Sequence, residues 1–520
     1  MIRANELAYF ALSQKTYPTL RPAHHFKFAD KKVAFLWGDP VYVIDITNDV
    51  ATVSGKGYHV EVPVDHLMED PILCVYQIDC GQGDAALVHF PDDRWMMIDG
   101  GPAHNWSNSG KIAPDFLYWK MFIDQCWKNE FDFRREPFVF DALVCTHPDY
   151  DHYGGYLDMT RHVEKKTIEY KTVYHCGLGR FDGDVHKYDG AKGHGQLGPV
   201  RGKALPDAYM TTLLDGFDDV GKFSKRAGSR RWQLAGSYAT WLKDLRRLKG
   251  NGVGELKRVD SSVGHLPDFE PQNSDVAVNV LGPIVEKWKN KPAMRFLDTA
   301  SNIGDPSKTR NGHSIVLRLD YKNARILLTG DLNFRSQALL LKHIDKSEFS
   351  CHVAKACHHG AEDISCTFLE AMSPMATMFS SGDNETHAHP RARALGLSAA
   401  FGHKFALLTK TGKVRKQKFL DLEEDRLIAP LIYSTELSRS IELHPPRAAF
   451  DSQGNRIPKA EVQARGRTNP KTGRRELLSD WLLADKMVYG LINVRTDGNK
   501  ILLAVSNEGK PGFQIEELNI

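Results

Sequence analysis

Residues His147 to His152 carry the clearest chemical signal in this 520-residue chain. Two imidazoles, His147 and His152, alternate here with the carboxylates of Asp149 and Asp151, and two glycines follow. The preceding run Phe138–Cys145 is apolar, β-branched and aromatic, so it predicts a buried strand that leaves the cluster on an extended loop at its end. Histidine and carboxylate ligands brought together in this way suit one or two divalent cations. A polar loop with scattered charges is the alternative interpretation.

Other predicted strands end or begin at residues of the same types. The strands Arg94–Ile98, Arg325–Leu328 and His352–Ala356 each lead into a carboxylate or an imidazole, and one histidine stands just before the strand Ile315–Leu319. The side chains in question are Asp99, His313, Asp331, His358 and His359. Because the carboxyl ends of strands meet at one edge of an open sheet, we expect these groups near the first motif.

The order of these motifs resembles the metallo-β-lactamase superfamily. It runs from Asp99-Gly-Gly through the histidine-aspartate motif and Thr329-Gly-Asp331 to His358-His-Gly. Two further stretches, Asp79-Cys-Gly-Gln-Gly-Asp84 and Ser381–Asn384 followed by His387-Ala-His389-Pro, make it similar to the soluble hydrolase domain of ComEC-type DNA-uptake proteins. The resemblance implies an α/β fold: the four-layer αββα sandwich, with metal between the two sheets at one edge.

The resemblance also implies a role for each site residue. One metal would take His147 and Asp149 with His313 as the candidate third ligand, and the second would take Asp151, His152 and His358. Asp331 would bridge the two ions. His359 and His389 would stand behind the ligands or face the substrate, while Asp99, with Asp84, would orient the loop from beneath.

Two divalent ions, Zn or Mn, are the expected cofactors, because the donor set mixes imidazole with many carboxylate oxygens. Such a pair can supply a metal-bound hydroxide and polarise a phosphoryl oxygen. The sequence therefore predicts a metal-dependent hydrolase of phosphodiesters, with nucleic acid as the leading substrate. A small-molecule phosphodiesterase, and a partner-dependent component of a multi-gene defence system, are the alternatives.

Residues 177–273 interrupt the alternation of strands and helices and are predicted to be an insertion with helices at Asp207–Val220 and Trp232–Leu248. Eleven Lys or Arg stand against two acids between Lys222 and Arg258. Aromatic residues interleave with them, a mixture that suits a polyanion. The predicted nucleic-acid contacts are Arg226, Arg230, Arg231, Arg246 and Arg247, and the interleaved rings are Trp232, Tyr238 and Trp241. The alternative is an amphipathic helix with rings in the core and arginines in water.

The remaining sequence suggests flanking units around a hydrolase domain at 71–400. Residues 1–70 predict a small β module, SH3-like, with strands near Val33–Trp37, Val41–Ile46 and Tyr58–Val64. Residues 401–520 predict a C-terminal extension with an exposed basic loop, Arg456–Arg475. A hairpin formed by Met487–Val494 and Lys500–Val505 is expected to close this extension as a small unit of its own.

The composition of the chain says more about its cellular location than about its binding partners. The net charge is +3, so it indicates neither a strongly basic nor a strongly acidic protein. No secretory signal opens the chain and no apolar run is long enough for a membrane span, and the eight cysteines contain no CxxC pair. A cytoplasmic protein is expected, and the oligomeric state stays open.

Overall fold

A computed structural model gives the fold. It describes residues 1–12, 20–22, 35–56, 58–103, 113–114, 116–117, 137–183, 195–202, 208–228, 232–297, 306–382, 389–406, 413–414, 416–419, 422–425, 427–428, 430–435, 449–450, 456–457, 487–488, 491–506 and 513–520. Within these residues, no helix combines the length and the apolar character that a membrane crossing needs.

Seven helices are described, and five short 3-10 helices accompany them. The helices are α1 (Tyr150–Glu164), α2 (Phe217–Phe223), α3 (Gly236–Arg247), α4 (Pro306–Gly312), α5 (Phe334–His343), α6 (Cys366–Met372) and α7 (Ala392–Phe401). The 3-10 helices are Val64–His66, Gly195–Leu197, Ser261–Val263, Lys346–Phe349 and Cys357–Gly360.

Two large sheets form the centre of the molecule. In spatial order, the nine-stranded sheet contains Val253–Arg258, Ile168–His175, Phe138–Cys145, Trp95–Gly100, Ala85–His89, Leu73–Gln77, Ile492–Thr496, Lys500–Ser506 and Phe513–Asn519. Its first four strands are parallel and its remaining pairs are antiparallel. The seven-stranded sheet contains Val276–Gly282, Val316–Tyr321, Ala324–Leu328, Val353–Lys355, Ala376–Phe379, Leu431–Ser434 and Met487–Val488.

Alternation along the strands builds four layers. Val144 packs between the two sheets with residues of the other sheet such as Leu317 and Ile326. Its neighbour Leu143 faces the opposite way and packs against α1 and α3. On the far side, Leu327 packs against α5 and α6. Since side chains of a strand alternate between faces, each sheet buries both faces, and the result is the predicted αββα sandwich.

Smaller sheets lie around this sandwich. A four-stranded sheet contains Val200–Arg201, Tyr209–Met210, Lys291–Arg295 and Glu286–Trp288, and two-stranded pairs are Phe181–Gly183 with Trp232–Leu234, Phe405–Ala406 with Leu427–Ile428, Lys416–Phe419 with Leu422–Asp425, and Ala449–Phe450 with Arg456–Ile457.

The N-terminal residues form an antiparallel sheet with its own apolar core. Its six strands are, in spatial order, Leu20–Pro22, Tyr58–Pro63, Val50–Gly55, Pro40–Thr47, Leu7–Phe10 and Leu67–Met68. Val41, Val53 and Val60 are among the residues that fill this core. Residues 35–37 are not in a strand, and residues 33–34 of the predicted strand lie outside the described residues.

The insertion differs from its prediction in both helices. Tyr209–Met210 is a strand, so the first helix begins only at Phe217. The second begins at Gly236, and Trp232 lies in a strand that pairs with Phe181–Gly183. The last strand of this region, Val253–Arg258, pairs with Ile168–His175 at the edge of the nine-stranded sheet. Pairing with a strand far away in the chain leaves no local sequence signal. The sequence therefore did not predict that Val253–Arg258 joins this sheet.

The predicted C-terminal hairpin forms, but it is part of the nine-stranded sheet. Ile492–Thr496 pairs with Lys500–Ser506, but its other edge pairs with Leu73–Gln77 near the beginning of the sandwich. Met487–Val488 belongs instead to the seven-stranded sheet. The hydrogen-bonding edge of Leu73–Gln77 needs a partner, and the C-terminal strands supply it. Of the basic loop Arg456–Arg475, all but residues 456–457 lie outside the described residues.

Candidate metal centre

The candidate site lies where strands of the two large sheets end side by side. Asp99 lies at the end of Trp95–Gly100, and His147 follows Phe138–Cys145 in the neighbouring parallel strand. From the other sheet, Ala324–Leu328 leads to Asp331, and the adjacent Val353–Lys355 leads to a 3-10 turn with two histidines. The sandwich therefore brings together groups that are far apart in the chain.

Helix α1 begins inside the histidine-aspartate motif rather than after it. Asp149 is extended and stands just before the helix, so Asp151 and His152 occupy its first turn instead of an extended loop. A Cβ on Gly155 would stand 2.0 Å from the carbonyl oxygen of Gly100, and one on Gly154 would stand 2.5 Å from the Ala103 nitrogen. The two glycines therefore allow the helix to lie directly against the strand that ends in Asp99.

Four buried residues converge on one point. Asp84, His152, Asp331 and His359 each offer a ligand atom, and these atoms lie within 4.8 Å of one another. Asp331 Oδ2 is 3.2 Å from His152 Nε2 and 3.1 Å from His359 Nε2. Asp151 Oδ2 lies 3.6 Å from the same nitrogen of His359. Such spacing suits a single cation with imidazole and carboxylate ligands.

A second group of polar side chains adjoins the first and shares Asp331 with it. His147 Nε2 lies 4.0 Å from Asp149 Oδ2, and the rings of His147 and His152 are 4.1 Å apart. His358 Nε2 lies 3.8 Å from Asp331 Oδ2. The amide of Asn311 fits with its nitrogen donating to Asp149 Oδ2 (2.8 Å) and its oxygen accepting from His358 Nε2 (3.2 Å).

The histidines are held as metal-binding histidines are, through the nitrogen that faces away from the site. His152 Nδ1 lies 2.7 Å from Asp99 Oδ2, and His359 Nδ1 donates to the Ser380 carbonyl at 3.0 Å. His147 Nδ1 lies 3.2 Å from Ser314 Oγ. In the part of the chain that the structure describes, the Nε2 atoms of all three rings are buried and lack a hydrogen-bond partner. These residues fit a divalent cation, because a cation would satisfy the three nitrogens.

Asp99 lies beneath the loop and fixes it. Its Oδ1 accepts from the Thr146 backbone nitrogen (2.7 Å), and its Oδ2 accepts from the Thr146 hydroxyl (2.6 Å). The same carboxylate meets His152, so it couples the loop to the first turn of α1.

Lys355 is a buried cation that the sequence did not indicate. Its ammonium donates to the Gly330 carbonyl at 2.8 Å, lies 3.4 Å from Asp331 Oδ1 and forms a close ion pair with Asp84. Although burial opposes ionisation of Asp84, Lys355 and His359 lower the pKa of that carboxyl to about 2. Both carboxylates are thus held in the charged form that a metal requires.

The imidazoles divide into two kinds. Burial, reinforced by the neighbouring His152, lowers the pKa of His147 to about 3, so this ring is neutral. For His152 burial also opposes the charged form, but Asp331 and Asp99 outweigh it and raise the pKa well above its usual value. Asp331 and Asp84 raise the pKa of His359 in the same way. The negative field that attracts protons to these rings also attracts divalent cations, which would displace them.

His313 does not join the site, so its predicted role as a ligand is wrong. Its Nε2 donates to the Arg295 carbonyl at 2.8 Å on the neighbouring four-stranded sheet. Asn311, two residues earlier, holds the position that faces Asp149 and His358. Residues 310–314 turn at the end of α4, so a short displacement along the chain changes the direction of the side chain.

The deeper of the two adjacent histidines is His359, not His358 as predicted. His359 is 1 % exposed and faces Asp151 and Asp331, whereas the side chain of His358 is 29 % exposed. Both have positive φ, 47° for His358 and 53° for His359, in a tight 3-10 turn. This turn directs the second ring into the sandwich. His389 is buried beside them, with its ring 5.7 Å from that of His358 and 6.1 Å from that of His359.

The basic helix of the insertion does not face the site. Near its start, the Ser237 hydroxyl lies 2.8 Å from that of Tyr153 at the site end of α1, whereas Arg247 pairs with Glu164 at the far end. At 1.5 Å per residue this end is about 20 Å from Tyr150. Arg246 is exposed at the same end, and Arg226 is exposed and 3.9 Å from Asp182. Arg230 and Arg231 lie outside the described residues.

The three rings that interleave with the basic residues are in the core, so they cannot stack on bases. Trp241 is fully buried and stacks on Tyr156 of α1 with 5.4 Å between ring centroids, and Tyr238 and Trp232 are buried too. This is the amphipathic alternative, in which the rings face inward and the arginines face water.

Residues 78–238, which include the histidine-aspartate motif, match the family model described as the metallo-beta-lactamase superfamily. These residues are therefore similar to that superfamily. No curated protein matches the chain. The buried Asp and His cluster described above offers four ligand atoms that could hold a metal ion.

Two solved structures are similar to part of this chain. The metallo-beta-lactamase fold protein YhfI from Bacillus subtilis is 9 % identical, covers 64 % of this chain and 93 % of its own, and has a TM-score of 0.30. A diphosphatase from the PhnP family is 12 % identical, covers 59 % of this chain and 86 % of its own, and has a TM-score of 0.26.

Proposed function

We propose that this protein is a metal-dependent hydrolase that cleaves phosphodiester bonds. The observation that carries the proposal is the pair of adjacent ligand groups that share Asp331, with three buried imidazole nitrogens facing carboxylates. Asp84, Asp151, His152 and His359 would hold one divalent ion, and His147, Asp149 and His358 would hold the other, with Asn311 beside it. Zn or Mn suits this mixture of nitrogen and oxygen donors.

Two ions held in this way would activate water and polarise a phosphoryl oxygen. The residues of the chain supply the rest. Asp331 lies between the two groups and holds both in register, while Asp99 and Ser314 fix the rings of His152 and His147. His389 lies next to the partly exposed His358 and would protonate the leaving oxygen. Because the nucleophile is water, no serine or cysteine is required.

Nucleic acid and a small phosphodiester are the two candidate substrates. The sequence favours nucleic acid through its motif resemblance. The structure supplies one observation that favours a small substrate, because the basic end of α3 lies about a helix length from the site and its aromatic rings are buried. Hydrolysis assays with polynucleotides and with a small diester distinguish the two substrates.

The test is hydrolysis by the full chain loaded with Zn or Mn. Substrates are single- and double-stranded DNA, RNA and a small chromogenic phosphodiester, and bound metal is counted by mass spectrometry. Asp331→Asn should lower kcat by at least about 100-fold, as expected for a group that positions both ions. The control is Asp65→Ala, which removes an exposed carboxylate of the 3-10 helix Val64–His66 and should leave turnover unchanged. Equal activity in Asp331→Asn and wild type would refute the proposal.

A double variant, Arg246→Ala with Arg247→Ala, distinguishes the substrates. If polynucleotide cleavage weakens and its salt dependence falls while turnover of the small diester stays the same, nucleic acid crosses the basic end of α3. If only the small diester is cleaved, the small substrate is correct. No turnover of any substrate by metal-loaded protein would instead favour a partner-dependent role.

A further inference from the structure

Asp149 joins the candidate metal centre to two arginines. Its Oδ1 accepts from Arg310 Nε at 2.6 Å and from Arg180 at 3.2 Å, while its Oδ2 lies toward His147. Arg310 belongs to α4, and Arg180 belongs to the insertion, just before the strand Phe181–Gly183. A carboxylate beside a metal centre therefore carries two guanidinium groups, although one is enough to balance its charge.

The two arginines differ in how many of their hydrogen-bond donors are already used. Arg310 is 5 % exposed, bonds Asp149 through Nε and donates to Gln196 at 3.0 Å, so it is committed to the protein. Arg180 is 28 % exposed and makes a single, longer contact with Asp149. Its Nε is buried and lacks a hydrogen-bond partner in the described part of the chain, so the donors left for a ligand are the remaining N–H groups of its Nη atoms. Arg310 thus neutralises Asp149, and Arg180 keeps donors for another acceptor.

From this difference we propose that Arg180 binds a non-bridging phosphate oxygen of the substrate beside the metal centre. The inference rests on the proposed function and names the residue that recognises the anionic group. A planar guanidinium binds a phosphate through two parallel donors and stays charged at every working pH. Next to divalent ions it stabilises the negative charge that grows on the phosphoryl oxygens.

The backbone around Arg180 is fixed, so the side chain is presented from a defined place. Ile168–His175 runs parallel to Phe138–Cys145, and both strands end at the edge that carries the site. The Arg180 carbonyl accepts from Ala235 at 2.9 Å, and the Gly177 carbonyl accepts from Leu214 at 2.9 Å. An ordered support of this kind lowers the entropy cost of binding the anion.

The test uses the full chain loaded with Mn and compares wild type, Arg180→Ala, Arg180→Lys and Arg161→Ala. Arg161 is the matched control, because it is exposed on α1 and pairs with Asp158 one turn earlier in the same helix. Calorimetry with inorganic phosphate should show affinity about 10- to 100-fold weaker in Arg180→Ala, the range of a charge-assisted hydrogen bond. Arg180→Lys should recover only part of it, and Arg161→Ala should match wild type.

Two further readouts separate recognition from a structural role. Bound Mn, counted by mass spectrometry, should stay at the wild-type level in Arg180→Ala, because Arg310 still holds Asp149. With the small diester, KM should rise by a similar factor, and phosphate should inhibit the variant less. Loss of Mn, or unchanged phosphate affinity with unchanged KM, would overturn the inference.

Failure of this inference can be told from failure of the proposed function. If wild type hydrolyses phosphodiesters and Arg180→Ala does so with the same KM, the subsite is wrong and the function stands. If wild type hydrolyses none of them but binds phosphate in a manner that depends on Arg180, the subsite stands and the proposed reaction is wrong.

Discussion

At the scale of single residues, the two ring nitrogens of His152, like those of His359, have different partners. One nitrogen meets a fixed acceptor, which for His152 is Asp99 and for His359 is the Ser380 carbonyl, and the other faces the carboxylates. This arrangement sets the tautomer and the direction of the ring before any ligand binds. The residues behind the ligands should therefore control metal affinity.

Asp99→Asn tests this control. The amide keeps the size of the side chain but loses the charge that orients His152 and draws its Nδ1 proton. Affinity for Zn or Mn should fall about 10- to 100-fold, as for other partners of metal-bound histidines. Competition with a chelator of known affinity measures it, with Asp65→Ala as the control. Wild-type affinity in Asp99→Asn would mean that the carboxylate only stabilises the loop.

A second prediction at this scale concerns His313, which is buried and lies outside the site. Burial lowers its pKa to about 4 from its ordinary 6.5, so the folded state favours the neutral ring. Its contribution to stability is present above pH 6.5 and is lost as pH falls towards 4. Between pH 7 and pH 5 this one group should cost about 2 kcal/mol of unfolding free energy.

His313→Gln isolates that contribution. Glutamine can still donate to the Arg295 carbonyl but does not titrate. Urea unfolding with a chelator present, at pH 7 and at pH 5, should show a smaller loss of stability in the variant than in wild type, by about 2 kcal/mol. The same loss in both proteins would contradict the prediction.

At the scale of elements, α1 is the part that connects the strands to the site. It carries Asp151 and His152 in its first turn and lies against the strand that ends in Asp99. The contact is close enough that Gly155 NH donates to the Gly101 carbonyl at 2.9 Å. The position of this helix therefore sets the position of two candidate ligands.

Gly155→Ala should displace α1. The new Cβ would stand 2.0 Å from the Gly100 carbonyl oxygen, so backbone has to move, and overpacking of this kind costs about 1–3 kcal/mol. Metal affinity should fall as well. Gly221→Ala is the control, because its Cβ meets only the flexible end of Arg246, and this variant should keep both stability and metal binding. Thermal unfolding and chelator competition check the two effects.

At the scale of the whole molecule, the two ends of the chain meet. Arg495 lies in the C-terminal strand that pairs with Leu73–Gln77, and it donates to Asp39 Oδ1 at 2.8 Å and to the Trp37 carbonyl at 2.6 Å. Both acceptors belong to the segment next to the N-terminal sheet. A fully buried ion pair thus links that sheet to the sandwich.

Arg495→Ala should loosen this link and destabilise the protein by about 1.5–3 kcal/mol, since Asp39 would lose one charged hydrogen bond but keep its ion pair with Lys56. Arg247→Ala removes an exposed pair and should change stability by no more than about 0.5 kcal/mol. Urea unfolding compares the variants. Equal effects of the two substitutions would show that the buried pair does not hold the ends of the chain together.

The sequence by itself determined the strands of the sandwich and most of the residues that gather at its edge. Runs such as Phe138–Cys145 are apolar on both faces, so they predict buried strands, and the residue that follows such a strand must lie at the edge of the sheet. Such a signal is local, so it was sufficient to predict the αββα fold and the places of His147 and Asp331 after the ends of strands.

Only the tertiary structure decided which way each side chain turns and what it meets. His313 turned away while Asn311 turned inward, His359 took the deeper position, and Lys355 and Arg180 joined from elements with no local signal. The C-terminal strands likewise joined the nine-stranded sheet through pairing with Leu73–Gln77, which lies more than 400 residues earlier in the chain. Each outcome depends on a contact with a residue far away in the chain. The free energy of such a contact cannot be inferred from a short stretch of sequence.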